Sequence, residues 1–179
     1  SGGVDEPMRT DRREIALVML DLVGFGAFSE TADPEEVMGV LRQYHVEMGQ
    51  IVMAHQATLH TFSGDAIVVV LNDPVEIADA PARALRMAWD MRERGRELTA
   101  EWEKRGWQMP LRIGAAMGHA TIGAIGFEER LDYGVVGRVN RLAAALCNAA
   151  EGGHILVSQK IAAAAEGWAD LQEIDLPAP

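Results

Sequence analysis

The feature that most constrains the fold is a nearly continuous apolar run at residues 14–23 (EIALVMLDLV), with a single charge in its interior, Asp21. Such a run is typical of a central strand that is buried on both faces of a sheet. A carboxylate in such a strand is costly unless it is paired or bound to a metal ion. The run therefore predicts a central strand whose aspartate is either paired or bound to a metal ion.

The remaining elements are indicated by apolar spacing, turn residues and capping residues. The first half of the chain predicts a glycine-containing turn at 24–29, a helix that begins at Asp33 and Pro34, and a hairpin of strands 59–62 and 66–71 around Ser63-Gly64-Asp65. The second half predicts a helix at 79–105, strands at 111–117 and 120–125 joined at Gly118, a segment at 127–136, a helix at 138–149, a strand at 154–157 and a short helix capped by Ser158.

The order strand, helix, strand, strand, helix, strand predicts an α+β fold. Its core would be a ferredoxin-like split βαβ arrangement, in which helices flank a mainly antiparallel sheet. A length of 179 residues fits one domain. Because Ser1-Gly2-Gly3 resembles a cloning scar, we expect residues 1–13 to be this scar with an N-terminal extension and residues 14–179 to be the domain.

The charge balance limits the partners of the chain. It has 27 acidic and 16 basic residues, and only two of the basic residues are lysines. Because phosphate backbones are bound by clustered Lys and Arg, no nucleic-acid partner is expected. No apolar run reaches the ~20 residues that a bilayer span needs, so we expect no membrane insertion of this segment. These features predict a cytoplasmic location, either alone or as the cytosolic domain of a larger sensor protein.

Three segments carry a more specific pattern. They are VMLDLVGFGAFSE at residues 18–30, HTFSGDAIVVVL at 60–71 and RIGAAMGHATIGAIGFEERLDYGVVGRVNRLAAAL at 112–146. In order and spacing they resemble the class III adenylate and guanylate cyclase catalytic domain. The first is similar to that family's opening strand and turn, and the second to its Gly-Asp hairpin. The third is similar to its Gly-rich hairpin, dimerisation arm and active-site helix.

The resemblance implies a reaction that converts a nucleoside triphosphate to a 3′,5′-cyclic nucleotide and pyrophosphate. It implies two divalent metal ions, Mg²⁺ or Mn²⁺, one to activate the ribose 3′-hydroxyl and one to hold the leaving pyrophosphate. Asp21, Asp65 and the backbone carbonyl of Leu22 would bind the metals. The alternative for Asp65 is simple turn chemistry, which is common in a Gly-Asp hairpin. The phosphates would be held by backbone amides of Gly24, Phe25, Gly26, Ala27 and Phe28.

Several family positions carry other residues in this chain. Thr61 and Gly134 stand where the family selects adenine or guanine, and neither selection pair is present; ATP is the expected substrate ahead of GTP. Arg141 and Ala145 stand at the positions of the family's catalytic Asn and Arg, and Asn140 is one residue from the Asn position. Arg141 shares a helix face with Ala145 and is the candidate for the missing charge, with a surface arginine as the alternative. The catalytic candidates are therefore Arg141 and Asn140.

Two functions remain open from the sequence. The first is a homodimeric, metal-dependent cyclase whose site lies between protomers, with the metals held by one and the active-site helix supplied by the other. The second is a degenerate regulatory module that binds metal or nucleotide and dimerises, or that completes a site as a heterodimer with an intact cyclase domain. Retention of Asp21 and Asp65 favours the enzyme. The loss of preorganised charge elsewhere favours the module.

Overall fold

The apolar run forms the central strand of the sheet, as predicted, but this strand begins earlier, at Asp11. The structure is a computed structural model and describes residues 10–165, 167 and 169–176. Residues 1–9 of the expected N-terminal extension lie outside the described residues. The elements in chain order are β1 (Asp11–Leu22), α1 (Phe25–Thr31), α2 (Pro34–Ala54), β2 (Thr58–Ser63), β3 (Ala66–Leu71), α3 (Ala80–Glu103), β4 (Leu111–Phe127), β5 (Arg130–Val136), α4 (Arg138–Ala149), β6 (Ile155–Val157) and α5 (Gln159–Ala163).

The strands form one sheet in the order β2-β3-β1-β4-β5, and β6 pairs with β4. The described pairings are antiparallel except that of β6 with β4. The order β4-β1-β3-β2 is that of a split βαβ core, because each βαβ unit has a strand of the other unit between its two strands. The predicted α+β fold, with a mainly antiparallel sheet and flanking helices, is confirmed.

Helices cover both faces of the sheet, which explains why residues 15–20 of β1 are all apolar. Val18 and Leu20 belong to the larger core, which contains residues of α2 and α3. Ile15 and Leu17 belong to a smaller core on the other face, with residues of α4. None of these four side chains is more than 1% exposed. In the part of the chain that the structure describes, no helix has both the length and the apolarity to cross a bilayer.

Two expectations about glycines are wrong. The strands predicted at 111–117 and 120–125 are one continuous strand, in which Gly118 pairs with Ile15. Gly118 serves close packing, because a Cβ there would lie 3.2 Å from Cβ of Val139 in α4. The turn predicted at 24–29 is largely the short helix α1, which follows Gly24 with its φ of +84°.

The segment predicted at 127–136 belongs to a hairpin that curls back over the sheet. We call residues 123–136, the distal end of β4 with β5, the arm. Tyr133 of the arm lies with its ring centroid 5.7 Å from that of His60 in β2, although β2 and β5 are at opposite ends of the strand order. The Tyr133 hydroxyl donates to Asp73, which also forms a 3.0 Å ion pair with Arg13. These contacts fix the arm against the sheet.

Candidate functional site

The two aspartates that we expected to bind metal lie next to each other at one end of the sheet. The antiparallel pairing of β1 with β3 extends to Leu20, which lies opposite Ile67. Two residues beyond this pair on each strand, Leu22 lies beside Asp65. There the Leu22 amide donates a 3.1 Å hydrogen bond to Oδ2 of Asp65. Because Asp21 directly precedes Leu22, the hairpin tip and the end of β1 bring two carboxylates together.

The surroundings of Asp65 disfavour its ionised form. Burial raises the pKa of its carboxyl, and the nearby charge of Asp21 raises it further. The hydrogen bond from Leu22 and the guanidinium of Arg112 act in the opposite direction. The ionised pair is therefore under strain that a bound cation would relieve.

A buried tyrosine lies close enough to this pair to be affected by its charge. Tyr44 of α2 is fully buried, and its hydroxyl has no hydrogen-bond partner among the described residues. Burial raises the pKa of the Tyr44 phenol well above its usual value, and the charges of Asp65 and Asp21 add to this effect. The phenol therefore stays neutral in the neighbourhood of the two carboxylates.

Arg112 is a site residue that the sequence analysis missed. It lies opposite Asp21 in the pairing of β1 with β4, and its guanidinium donates two hydrogen bonds to the Asp21 carboxylate, at 2.6 and 3.1 Å. Its Nη1 also donates to the carbonyl of Asn148 in the last turn of α4, at 3.1 Å. The hydrogen bond to Asp21 raises the pKa of Arg112 further. A lone arginine in the apolar segment LRIGAAM was the sequence signal that could have identified it.

The residues present fit a divalent-cation site that a substrate completes. Mg²⁺ takes oxygen ligands and is usually held by one or two carboxylates together with substrate phosphates. Asp21 and Asp65 supply such a pair, and no cluster of three or more His, Cys, Asp or Glu ligands exists among the described residues. A cation at Asp21 has to compete with Arg112. Metal ligation by Asp21, Asp65 and Leu22 stays a prediction.

The segment expected to hold phosphates has fewer free amides than the sequence indicated. Phe28 donates its amide to the carbonyl of Gly24, at 3.2 Å, within α1. Its ring is buried against Trp107, with centroids 4.8 Å apart. The first amides of a helix have no intrahelical partner, so those of Phe25, Gly26 and Ala27 remain available.

The two residues at the family's base-selecting positions, Thr61 and Gly134, lie near each other. The contact between His60 and Tyr133 places Thr61 and Gly134, the next residues along each strand, in one region. Gly134 can contribute only backbone, because a Cβ there would lie 2.7 Å from Cγ2 of Ile125. Thr61 is exposed and follows a bulge, since both His60 and Thr61 face the single residue Val68.

The candidates on α4 have different surroundings. Asn140 donates from its side-chain amide to the carbonyl of Val135, at 3.0 Å, and this bond ties the start of α4 to the arm. Arg141 and Ala145 are both exposed, on the outward side of the helix. Arg141 precedes Asn148 by seven residues, or about 10 Å along the helix axis. The structure therefore does not bring Arg141 to the carboxylates of its own chain.

Two surface grooves, of about 350 and 520 Å³, lie on the side of α1 and α2. Trp107 and Glu36 line both of them, and neither is lined by Asp21 or Asp65. Asp21 and Asp65 are both partly buried.

Comparisons with known proteins identify the family of the chain. Adenylate cyclase 1 of Rhizobium meliloti is 30% identical over 136 residues, which are 75% of this chain and 20% of the relative. An uncharacterised protein of Mycobacterium tuberculosis is 28% identical over 159 residues, which are 87% of this chain and 28% of that protein. The chain therefore spans less than a third of the length of these curated relatives.

Solved structures give the same result. The adenylyl cyclase CyaB from P. aeruginosa superposes with a TM-score of 0.84 at 29% identity, over 90% of this chain and 84% of that one. The guanylyl cyclase Cya2 superposes with a TM-score of 0.82 at 34% identity, over 88% and 81%. The family model for the adenylate and guanylate cyclase catalytic domain matches residues 8–175. The chain belongs to the family of adenylate and guanylate cyclase catalytic domains.

Proposed function

We propose that this chain is a cyclase domain that converts a nucleoside triphosphate to a 3′,5′-cyclic nucleotide and pyrophosphate when two copies associate. The observation that carries the proposal is that Asp21 and Asp65 lie close together at the end of β1, with Arg112 bound to Asp21. Two divalent cations, Mg²⁺ or Mn²⁺, held by these aspartates and the Leu22 carbonyl, would activate the ribose 3′-hydroxyl and bind the leaving pyrophosphate. We place the domain in the cytoplasm, as part of a longer protein.

Arg112 has two roles in this proposal. Without a cation its guanidinium neutralises Asp21. When a cation occupies Asp21, the guanidinium is released, and its planar set of donors matches the oxygens of a phosphate. The hydrogen bond to Asn148 keeps the arginine at the site during this exchange. Arg112 therefore supplies a positive charge that the substitutions at the family's other positions have removed.

ATP is our first candidate for the substrate. Guanine presents two donors on its Watson–Crick edge and is best read by a carboxylate, which neither Thr61 nor Gly134 supplies. Adenine presents one donor and one acceptor, and a threonine hydroxyl can satisfy either. The similar proteins include adenylyl and guanylyl cyclases, so both nucleotides belong in the assay.

We expect the domain to form a symmetric homodimer through the arm and α4. The arm exposes large apolar side chains, among them Phe127 at 65% and Leu131 at 51%, which favours a partner surface. Light scattering is expected to show a dimer at micromolar concentration. Leu131→Glu should shift it to monomer. Met53→Glu, at an exposed apolar residue on α2, is the control that should not.

A wild-type protein that stays monomeric at high micromolar concentration would contradict the proposed dimer. So would a Leu131→Glu variant that dimerises as tightly as the wild type.

The direct test of the proposed function is product formation. Purified protein is incubated with ATP or GTP and with Mg²⁺ or Mn²⁺, and cyclic nucleotide and pyrophosphate are quantified together. Equal amounts of the two products, dependent on the divalent cation, are expected. Absence of cyclic product under every condition would refute the enzyme.

Arg141 is expected to contribute to turnover from the partner side of the dimer. Arg141→Ala should lower turnover by about tenfold or more, because removal of a preorganised charge donor typically costs two to three powers of ten. Metal-dependent nucleotide binding should change much less. Ala145→Arg, which restores the family residue one turn away, should raise turnover. If neither variant changes product formation, the role of Arg141 is wrong.

One observation favours the regulatory module instead. The amide group of Asn140 is used to hold the Val135 carbonyl, so α4 offers no free asparagine at the family's position. A module that binds nucleotide without turning it over would show metal-dependent nucleotide binding and no product. The two measurements together separate the enzyme from the module.

A further inference from the structure

A side chain of α2 contacts the hairpin tip that carries Asp65. Nε2 of His45 lies 2.7 Å from the carbonyl oxygen of Gly64, the residue immediately before Asp65. A carbonyl oxygen only accepts hydrogen bonds, so the histidine donates from Nε2. No sequence pattern pointed to this residue, since a histidine on a helix has many ordinary uses.

The imidazole of His45 is itself kept in place by two aromatic rings. Its centroid lies 5.7 Å from that of Tyr44 and 5.1 Å from that of Phe62 in β2. Phe62 pairs with Ile67, one rung from the end of the hairpin. Tyr44 belongs to the core and Phe62 to the hairpin, so the imidazole contacts both elements that it would join.

The anchored carbonyl belongs to the peptide group that leads directly into Asp65. Gly64 has a φ of +59°, a left-handed conformation in which the tip turns sharply. Fixing the orientation of this peptide fixes the direction in which the Asp65 side chain leaves the backbone. From the other side, the Leu22 amide holds Oδ2 of Asp65. The carboxylate is therefore positioned by α2 and by β1 together.

We propose that His45 is a positioning residue for the cation site, an inference that rests on the proposed function. Its hydrogen bond to Gly64 presets Asp65 for a divalent cation, and its loss lowers cation affinity without loss of the fold. Groups that orient metal ligands from behind typically change metal affinity by about 10- to 100-fold when they are removed.

Two substitutions separate the hydrogen bond from the packing. His45→Phe keeps an aromatic ring between Tyr44 and Phe62 and removes the donor. His45→Gln keeps a nitrogen donor at a similar reach and removes the aromatic ring. His55→Phe is the matched control, because His55, at the end of α2, bonds to Asp90 and not to the hairpin.

The measurement is Mn²⁺ affinity, from the electron paramagnetic resonance signal of the free ion, with and without 3′-deoxy-ATP, which cannot be cyclised. His45→Phe should raise the Kd for Mn²⁺ about tenfold or more at an unchanged metal-free melting temperature. His45→Gln should stay within about threefold of the wild type, and His55→Phe should match it.

Wild-type affinity in His45→Phe would overturn the positioning role and leave the proposed function intact. A His45→Gln variant as weak as His45→Phe would overturn it too, since packing would then be the cause. If His45→Phe does not fold, the Mn²⁺ affinity of His45→Gln decides whether the positioning role stands. We then expect His45→Gln to bind Mn²⁺ as tightly as the wild type. A wild-type protein that binds no Mn²⁺ would refute the cation site and His45 with it.

Discussion

Asp21→Ala and Asp65→Ala are each expected to abolish the stabilisation that divalent cation and nucleotide give to the protein. A ligand at 100 times its Kd stabilises a folded protein by about 2.7 kcal/mol, and thermal shift with Mn²⁺ and ATP detects such a gain. Each aspartate supplies half of the carboxylate pair, so neither variant retains a site. Asp11→Ala, at the exposed start of the same strand, is the control and should respond as the wild type does.

In the metal-free protein, by contrast, Asp65→Asn should raise the melting temperature. Burial raises the pKa of Asp65 in the folded state. The Asp65 side chain therefore contributes fully to stability below the pKa of about 3.9 that it has in the unfolded chain, and this contribution is lost as the pH rises through the pKa of the folded state. Asparagine has no charge to desolvate. Asp65→Asn should therefore melt at a higher temperature than the wild type at neutral pH, and this advantage should vanish near pH 3. A wild-type protein without cation-linked stabilisation would contradict the site.

Gly114→Ala is expected to be a strongly destabilising substitution although it adds only one methyl group. A Cβ at Gly114 would lie 2.3 Å from the backbone nitrogen of Cys147 and 2.6 Å from the carbonyl oxygen of Ala143. These are backbone atoms of α4, so the clash can be relieved only by moving the whole helix. Overpacking costs about 1–3 kcal/mol and occasionally more, and we expect the upper end of this range or beyond.

Urea unfolding measures the effect, with Gly49→Ala as the matched control. Gly49 lies inside α2, where a Cβ meets nothing within 4 Å. Alanine there should stabilise the protein by about 0.5–1 kcal/mol, because glycine is a poor helix former. A Gly114→Ala variant as stable as the wild type would show that α4 does not pack against β4 as described.

The sequence predicted those elements whose pattern comes from burial. β1 was identifiable because both of its faces are covered. α4 was identifiable because its residues follow an amphipathic pattern, and its predicted bounds, Arg138 and Ala149, are those of the structure. The adjacency of Asp21 and Asp65 is a consequence of the split βαβ order, in which β1 and β3 are neighbours. Gly118 was misread because a glycine that makes room for a helix looks, in sequence, like a glycine that makes a turn.

The rest of the site depends on contacts between distant segments. Arg112 reaches Asp21 only through the register of β1 with β4, and His45 reaches Gly64 only through the packing of α2 under the hairpin. Asn140 is one residue from the expected position, and only the structure shows its amide bonded to the arm. A pattern within one segment cannot encode such contacts between segments. The one signal in the sequence was Arg112, a single charged residue in an otherwise apolar strand segment.

The outward orientation of Arg141 on α4 has a consequence for how the domain would behave in a cell. Because that helix face is exposed, the proposed two-chain site would form only by encounter of two chains, and the number of such sites would follow the law of mass action. Well below the dissociation constant of the dimer, doubling the amount of protein would quadruple the output. The abundance of the chain, or any neighbouring segment that holds two copies together, would then regulate product formation without any change at the site.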